Sequence, residues 1–110
     1  MQPGTVKLLA KAERAAHVAA AALEGGAPDV AAGRAFYAIL YAAKAALNER
    51  GIRLQAHSRI AAAVDEPLRE YLIAAIARRR SGETEVTYGE AAGMVERADA
   101  CVKTVRERLD

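Results

Sequence analysis

A chain of 110 residues builds one hydrophobic core, so 1–110 reads as a single domain. Of its residues 53% are apolar, but 28 are Ala, with four Tyr, one Phe and no Trp, which excludes an all-β sandwich or barrel and disfavours a large α/β nucleotide fold. The net charge of +2 hides a basic middle, where Arg34, Lys44, Arg50, Arg53 and Arg59 face only Glu49, a pattern that suits a polyanion or an acidic partner alike.

The first helix is expected from about Thr5 to Leu23. Leu9, Ala12, Ala16, Ala20 and Leu23 share one face, and Lys7, Lys11 and Arg14 another. Gly25-Gly26 stops it, because glycine accepts the left-handed conformation after a helix. Pro28 opens the second helix, in whose first turn a missing N–H does no harm. That helix runs to about Arg50 and stops at Gly51. Its apolar face is read as Val30, Gly33, Tyr37, Leu40 and Leu47, flanked by Phe36, Ala43 and Ala46. A glycine inside a helix costs about 1 kcal/mol relative to Ala. Gly33 therefore implies a neighbouring backbone packed close against it.

Ile60 and Val64 begin a third pattern, which Leu68, Leu72, Ile73 and Ile76 carry to Arg78-Arg79-Arg80. Asp65-Glu66-Pro67 interrupts it as an N-cap and first turn, so a kink is expected, or a short helix followed by a longer one. After a loop over 81–86, Thr87 and Glu90 have the spacing of a capping box. They open a last helix with the stripe Ala91, Val95, Ala98, Val102, Val105 and Leu109. The expected fold is all-α, an antiparallel four-helix bundle, or five helices if the third is broken. Phe36, Ile39 and Tyr41 widen the second helix's apolar face beyond what one small core buries. Some of them, with Met94 and Cys101, are expected to meet a second copy.

The single Cys101 excludes an internal disulfide and a cysteine-rich metal site. No Cys/His cluster suits zinc, no Glu-x-x-His pair suits a di-iron centre, and no glycine-rich phosphate loop is present. No metal and no cofactor are expected. The opening residues do not form a secretory signal, and charges interrupt every apolar run before it could span a bilayer. A cytoplasmic location away from membranes is the expectation. His17, in an alanine-rich mid-helix stretch, reads as a partly buried surface residue. A Ser-His-Asp arrangement using His57 and Ser58 stays open, although a small bundle gives no reason for one. Arg78–Arg80 complements a helix C-terminus. Arg34, Lys44, Arg78 and Arg80 are also the candidates for phosphate contacts, since guanidinium groups clamp phosphate bidentately. His57 has two readings. It supports a loop and helps cap the third helix, or it is a site residue close to the arginine run or Tyr37.

From Ala32-Gly33-Arg34-Ala35-Phe36-Tyr37 through Tyr41-Ala42-Ala43-Lys44 to Leu47, then Gly51-Ile52 and Gln55-Ala56-His57-Ser58, the chain resembles the HEPN family of small bacterial and archaeal helical bundles. That family's second helix carries an Arg, an aromatic pair, Ala, another aromatic, then Ala-Ala-Lys and Leu, before a glycine and a Thr-His-Ser-like loop. Lys11-Ala12-Glu13 is similar to its Lys-Ala-Glu in the first helix, and residues 86–91 are similar to the start of its last helix. The resemblance covers nearly the whole chain. It implies a four- or five-helix bundle, usually a homodimer, often encoded beside a minimal nucleotidyltransferase as a toxin–antitoxin pair. Active members resemble metal-independent ribonucleases that use an Arg, four to six residues, then a His near the third helix's end. No His follows Arg78, Arg79 or Arg80 here, and Tyr88 comes seven intervening residues after Arg80, where the most similar branch has Asp-Tyr. Arg50 and His57 match the spacing across Gly51, at a different helix junction. The resemblance thus implies a partner-binding module with degenerate or absent ribonuclease activity. The alternative is an active metal-independent ribonuclease or an RNA- or nucleotide-binding protein, with His57 and Arg80 as its weak catalytic candidates.

Overall fold

In the computed structural model, which describes residues 1–81 and 85–110, five helices carry the chain: α1 (Pro3–Glu24), α2 (Pro28–Glu49), α3 (His57–Ala63), α4 (Leu68–Arg80) and α5 (Tyr88–Leu109). The fold is an all-α bundle, with no strand among the described residues. The helix ends follow local chemistry. The N–H groups of Gly25 and Ala27 donate to the carbonyls of Ala21 and Ala22 at 3.0 and 2.9 Å, and Gly26 turns the chain at φ 80°. At the end of α2, Arg50 and Ile52 both donate to the Leu47 carbonyl, with Gly51 at φ 77°. The Asp65-Glu66-Pro67 turn divides the third region into the short α3 and the longer α4. Thr87 caps α5 in a complete box: its hydroxyl accepts from the Glu90 N–H at 3.1 Å, and its own N–H donates to the Glu90 carboxylate at 3.4 Å.

The centre of the bundle is α2. Ala31, Ala35, Ala38, Ala42 and Ala45 are fully buried on it, together with Phe36, Ile39, Leu40 and Leu47. α1 brings Leu9, Ala12 and Ala19, and α5 brings Ala91, Ala98, Cys101 and Val105. Methyl groups on facing helices let the backbones approach closely, which is how few large side chains suffice. By length and composition alone α2 could cross a membrane, but most of it is buried among the other helices. Burial pushes the Cys101 thiol up to about 12, which leaves it an inert core group.

Burial corrects three expectations. A helix surrounded by neighbours has no single apolar stripe: of the face expected for α2, Phe36, Leu40, Ala43 and Leu47 are buried, but Val30 is 49% exposed and Gly33 faces open space. Phe36, Ile39, Met94 and Cys101, expected at a contact with a second copy, are all buried in the chain's own core, and Tyr41 is half-buried. α3, α4 and α5 cover the side of α2 that had been read as surplus. The close approach assigned to Gly33 belongs instead to Gly4, where a Cβ would stand 2.9 Å from the side-chain nitrogen of Asn48. That amide is buried and donates to the Thr5 hydroxyl at 3.1 Å, so it has no room to yield. Gly4→Ala is expected to lower the unfolding free energy by about 1–3 kcal/mol despite alanine's better helix propensity. A urea titration in which Gly4→Ala matches or exceeds the parent would contradict this.

Surface ion pairs tie the ends together. Arg108 donates to the Asp65 carboxylate at 3.0 Å and to the Glu66 carbonyl at 2.9 Å, linking the end of α5 to the turn before α4. Arg106 pairs with Glu13 across α5 and α1. The hydrogen bond from Arg108 holds the Asp65 carboxyl below its ordinary value, and one from Arg78 does the same for Glu90. A carboxylate whose folded pKa is depressed stabilises the fold above its unfolded pKa, and that contribution is lost as pH falls through the folded value. Thermal stability is therefore expected to hold from neutral pH to about pH 4 and to decline below it, with Arg108→Gln reducing the decline. An acid branch that Arg108→Gln leaves unaltered would remove the Asp65 pair from the account.

Candidate functional site

The densest grouping of aromatic and cationic side chains surrounds Phe36. This ring is buried on α2, and three neighbours cover it. Tyr37 meets it edge-on, with centroids 5.4 Å apart. His57, the first residue of α3, packs a tilted imidazole on it, also at 5.4 Å. From the last turn of α4, the Arg79 guanidinium lies 4.7 Å from the Phe36 centroid and 5.3 Å from that of Tyr37. Arg79 also donates to the Tyr37 hydroxyl at 3.4 Å. Such cation–π contacts contribute about 0.5–1 kcal/mol each at exposed sites. They hold the guanidinium against both rings. One turn along α2, Tyr41 lies 6.0 Å from Tyr37, and Lys11 of α1 sits 5.8 Å from the Tyr41 ring centre.

Beside this cluster, between α2, the end of α4 and the approach to α5, opens a cleft of about 310 Å³. Asp29, Gly33, Tyr37 and Arg79 stand around it, over Phe36 and Met94. Nothing lies within 4 Å of where a Gly33 side chain would begin. The missing Cβ therefore widens the cleft mouth rather than admitting another helix.

The four expected phosphate ligands do not converge. Arg78 is a strut between helices, donating to the Glu90 carboxylate at 3.0 Å and to the Glu85 carbonyl at 2.9 Å. Arg34 and Arg80 are exposed, and neither makes a side-chain hydrogen bond among the described residues. Lys44 lies about 15 Å from Arg34 along α2, ten residues at the helical rise, in a different cleft with Arg53. Arg34 and Lys44 thus stand ten residues apart on α2, while Arg78 and Arg80 belong to the last turn of α4.

His57 matches neither expectation in full. It does not cap α3, whose N-cap residue is Ala56 and whose first turn has no side-chain cap. It shares the Phe36 ring with Arg79, and its imidazole makes no hydrogen bond among the described residues. Ser58 beside it is exposed. Among the described residues, no three His, Cys, Asp or Glu side chains gather as metal ligands would.

Arg79, rather than Arg80, is the arginine that reaches the aromatic cluster. The signal was in the sequence: Leu68, Leu72 and Ala75 are the buried residues of α4, and Arg79 is the next position of the same inward stripe. Arg80 lies one residue off that stripe and faces out. Asn48 and Arg53 were also missed as a pair, because their contact depends on the chain reversing at Gly51.

Neither a family model nor a curated protein matches the chain.

Proposed function

We propose that this chain is a HEPN-like helical module that acts with a minimal nucleotidyltransferase in a toxin–antitoxin-type pair, and that it holds RNA or a nucleotide without cutting it. The observation that carries the reading is the cluster on Phe36, where one guanidinium meets a phenylalanine ring and a tyrosine ring with no histidine–arginine hydrogen bond among the described residues. Cleavage by a ribose 2′-hydroxyl needs one group to take its proton and another to meet the charge on the phosphorane. Arg79 suits the second role, and with the rings it suits base stacking. The imidazole that shares its ring, His57, makes no hydrogen bond to it among the described residues. A homodimer belongs to the same proposal, on a surface that excludes Phe36, Ile39 and Met94. So does a cytoplasmic location.

A second reading, the metal-independent ribonuclease, has one observation in its favour: His57 and Arg79 pack on the same ring. Incubation with single-stranded RNA in EDTA separates the two. The expected result is intact RNA, bound with an affinity whose logarithm falls linearly with log salt, and weakened by Arg79→Gln. RNA fragments that disappear in His57→Gln transfer the conclusion to the ribonuclease. Co-expression with a nucleotidyltransferase encoded beside the gene tests the partnership, and separate elution of the two proteins overturns it.

A further inference from the structure

At the other end of α2, where the chain reverses at Gly51, the segment after the turn folds back over the helix and encloses a cleft of about 200 Å³. Its floor is apolar, from Leu8, Leu47 and Ile52, and its polar groups are Lys44, Asn48, Arg53 and Gln55. Asn48 is only 7% exposed and is fixed on both sides. Its amide nitrogen donates to the Thr5 hydroxyl at 3.1 Å, and its amide oxygen accepts from Nε of Arg53 at 3.3 Å. This buried amide positions Arg53 by the inner nitrogen of its guanidinium. The two outer nitrogens, which form the fork that matches a phosphate, make no hydrogen bond among the described residues.

Lys44 is half-buried on the same cleft and makes no ion pair among the described residues. Glu49, the acid adjoining Asn48, is engaged elsewhere: its carboxylate accepts from the Gln2 N–H at 2.8 Å and lies 3.7 Å from the terminal ammonium. Stabilising the helix C-terminus does not account for these cations. The Leu47 carbonyl already accepts from the N–H groups of Arg50 and Ile52, and the Asn48 carbonyl from that of Gly51. Two cations, one of them aimed by a buried amide, thus share a cleft with no carboxylate lining it.

We propose that this cleft is an anion site for a phosphoryl group, clamped by the outer guanidinium nitrogens of Arg53 and the Lys44 ammonium, with the Gln55 amide as a further donor. Its volume is below the roughly 300–1,000 Å³ of sites that enclose a whole small molecule. It therefore takes a phosphate ion, or the phosphate of a larger molecule whose body remains outside. The site is separate from the Phe36 cluster and does not depend on the function proposed above.

The first probe is inorganic phosphate, titrated at constant ionic strength against chloride and followed by amide NMR shifts and by thermal unfolding. Saturable binding with a submillimolar Kd is expected, with the largest shifts over residues 44–55. Lys44→Gln, which leaves the Asn48–Arg53 contact in place, is expected to weaken binding by about tenfold or more, and Arg53→Gln to do the same. Arg14→Gln, on the exposed side of α1, is expected to leave affinity unchanged. A short single-stranded RNA with and without a 5′-phosphate then identifies the source. Preference for the phosphorylated strand assigns a terminal phosphate. Equal affinities that both fall with Lys44→Gln assign a backbone phosphate, and no RNA binding beside intact phosphate binding assigns the free ion. Phosphate shifts that do not saturate, or an affinity unchanged in both Lys44→Gln and Arg53→Gln, overturn the site.

Discussion

Leu72→Ala is expected to lower the unfolding free energy by about 2–5 kcal/mol, and to loosen α4 before the rest of the bundle. Three buried side chains seat this helix, Leu68, Leu72 and Ala75, of which only the first two are large, and Tyr71 and Ile76 pack half-buried beside them. Its outer face is open, with Ile73 52% exposed and Ala74 and Ala77 facing out. Removing the buried isobutyl group leaves a cavity that two residues cannot close. Because α4 delivers Arg79 to Phe36 and Tyr37, the same change disorders the aromatic cluster. Near-ultraviolet dichroism from the tyrosines is expected to fall at lower urea than the far-ultraviolet helix signal. Coincident transitions with a loss under 1 kcal/mol would show that Leu72 does not seat the helix.

Ala38→Leu is expected to produce the second large effect, by the opposite route. Ala38 is fully buried on the central helix, where methyl groups set the distance between helices. A larger side chain there forces the helices apart or takes an unfavourable rotamer, at about 1–3 kcal/mol, occasionally more. Ala21→Leu, on the exposed side of α1, is the matched control and is expected within about 0.5 kcal/mol of the parent. The comparison is made by urea unfolding of both variants. Equal midpoints for Ala38→Leu and the parent would mean that the seam has slack.

The helix ends were legible because each is a local event. Gly25-Gly26, Pro28, Gly51 and the Thr87–Glu90 box act within one turn of where they stand, so spacing alone identifies them. The facing of α2 was legible only in part, at Phe36, Leu40, Ala43 and Leu47. Alanine occurs on all its sides, which leaves little contrast between faces, and how many neighbours cover it is a property of the whole bundle. The surplus apolar positions were counted against one core face, whereas the helix has several. The candidate site was half legible. Tyr37 and Tyr41 announce themselves by their four-residue spacing, and Arg79 by the stripe that runs through Leu68, Leu72 and Ala75. The contact of Gly4 with Asn48 joins positions far apart in sequence, and it appears only once α1 and α2 lie side by side.

The alanine seam along α2 has a thermodynamic consequence. Burying alanine freezes no side-chain rotamers, whereas each buried leucine or isoleucine forfeits about 0.5–1 kcal/mol of conformational freedom. A bundle assembled on methyl groups orders itself at low entropic cost, and it also withdraws little apolar surface from water per residue. Heat capacity follows that surface, rising as apolar area is exposed on unfolding. The stability of this protein is accordingly expected to vary gently with temperature, along a curve broader than that of a bundle centred on leucine.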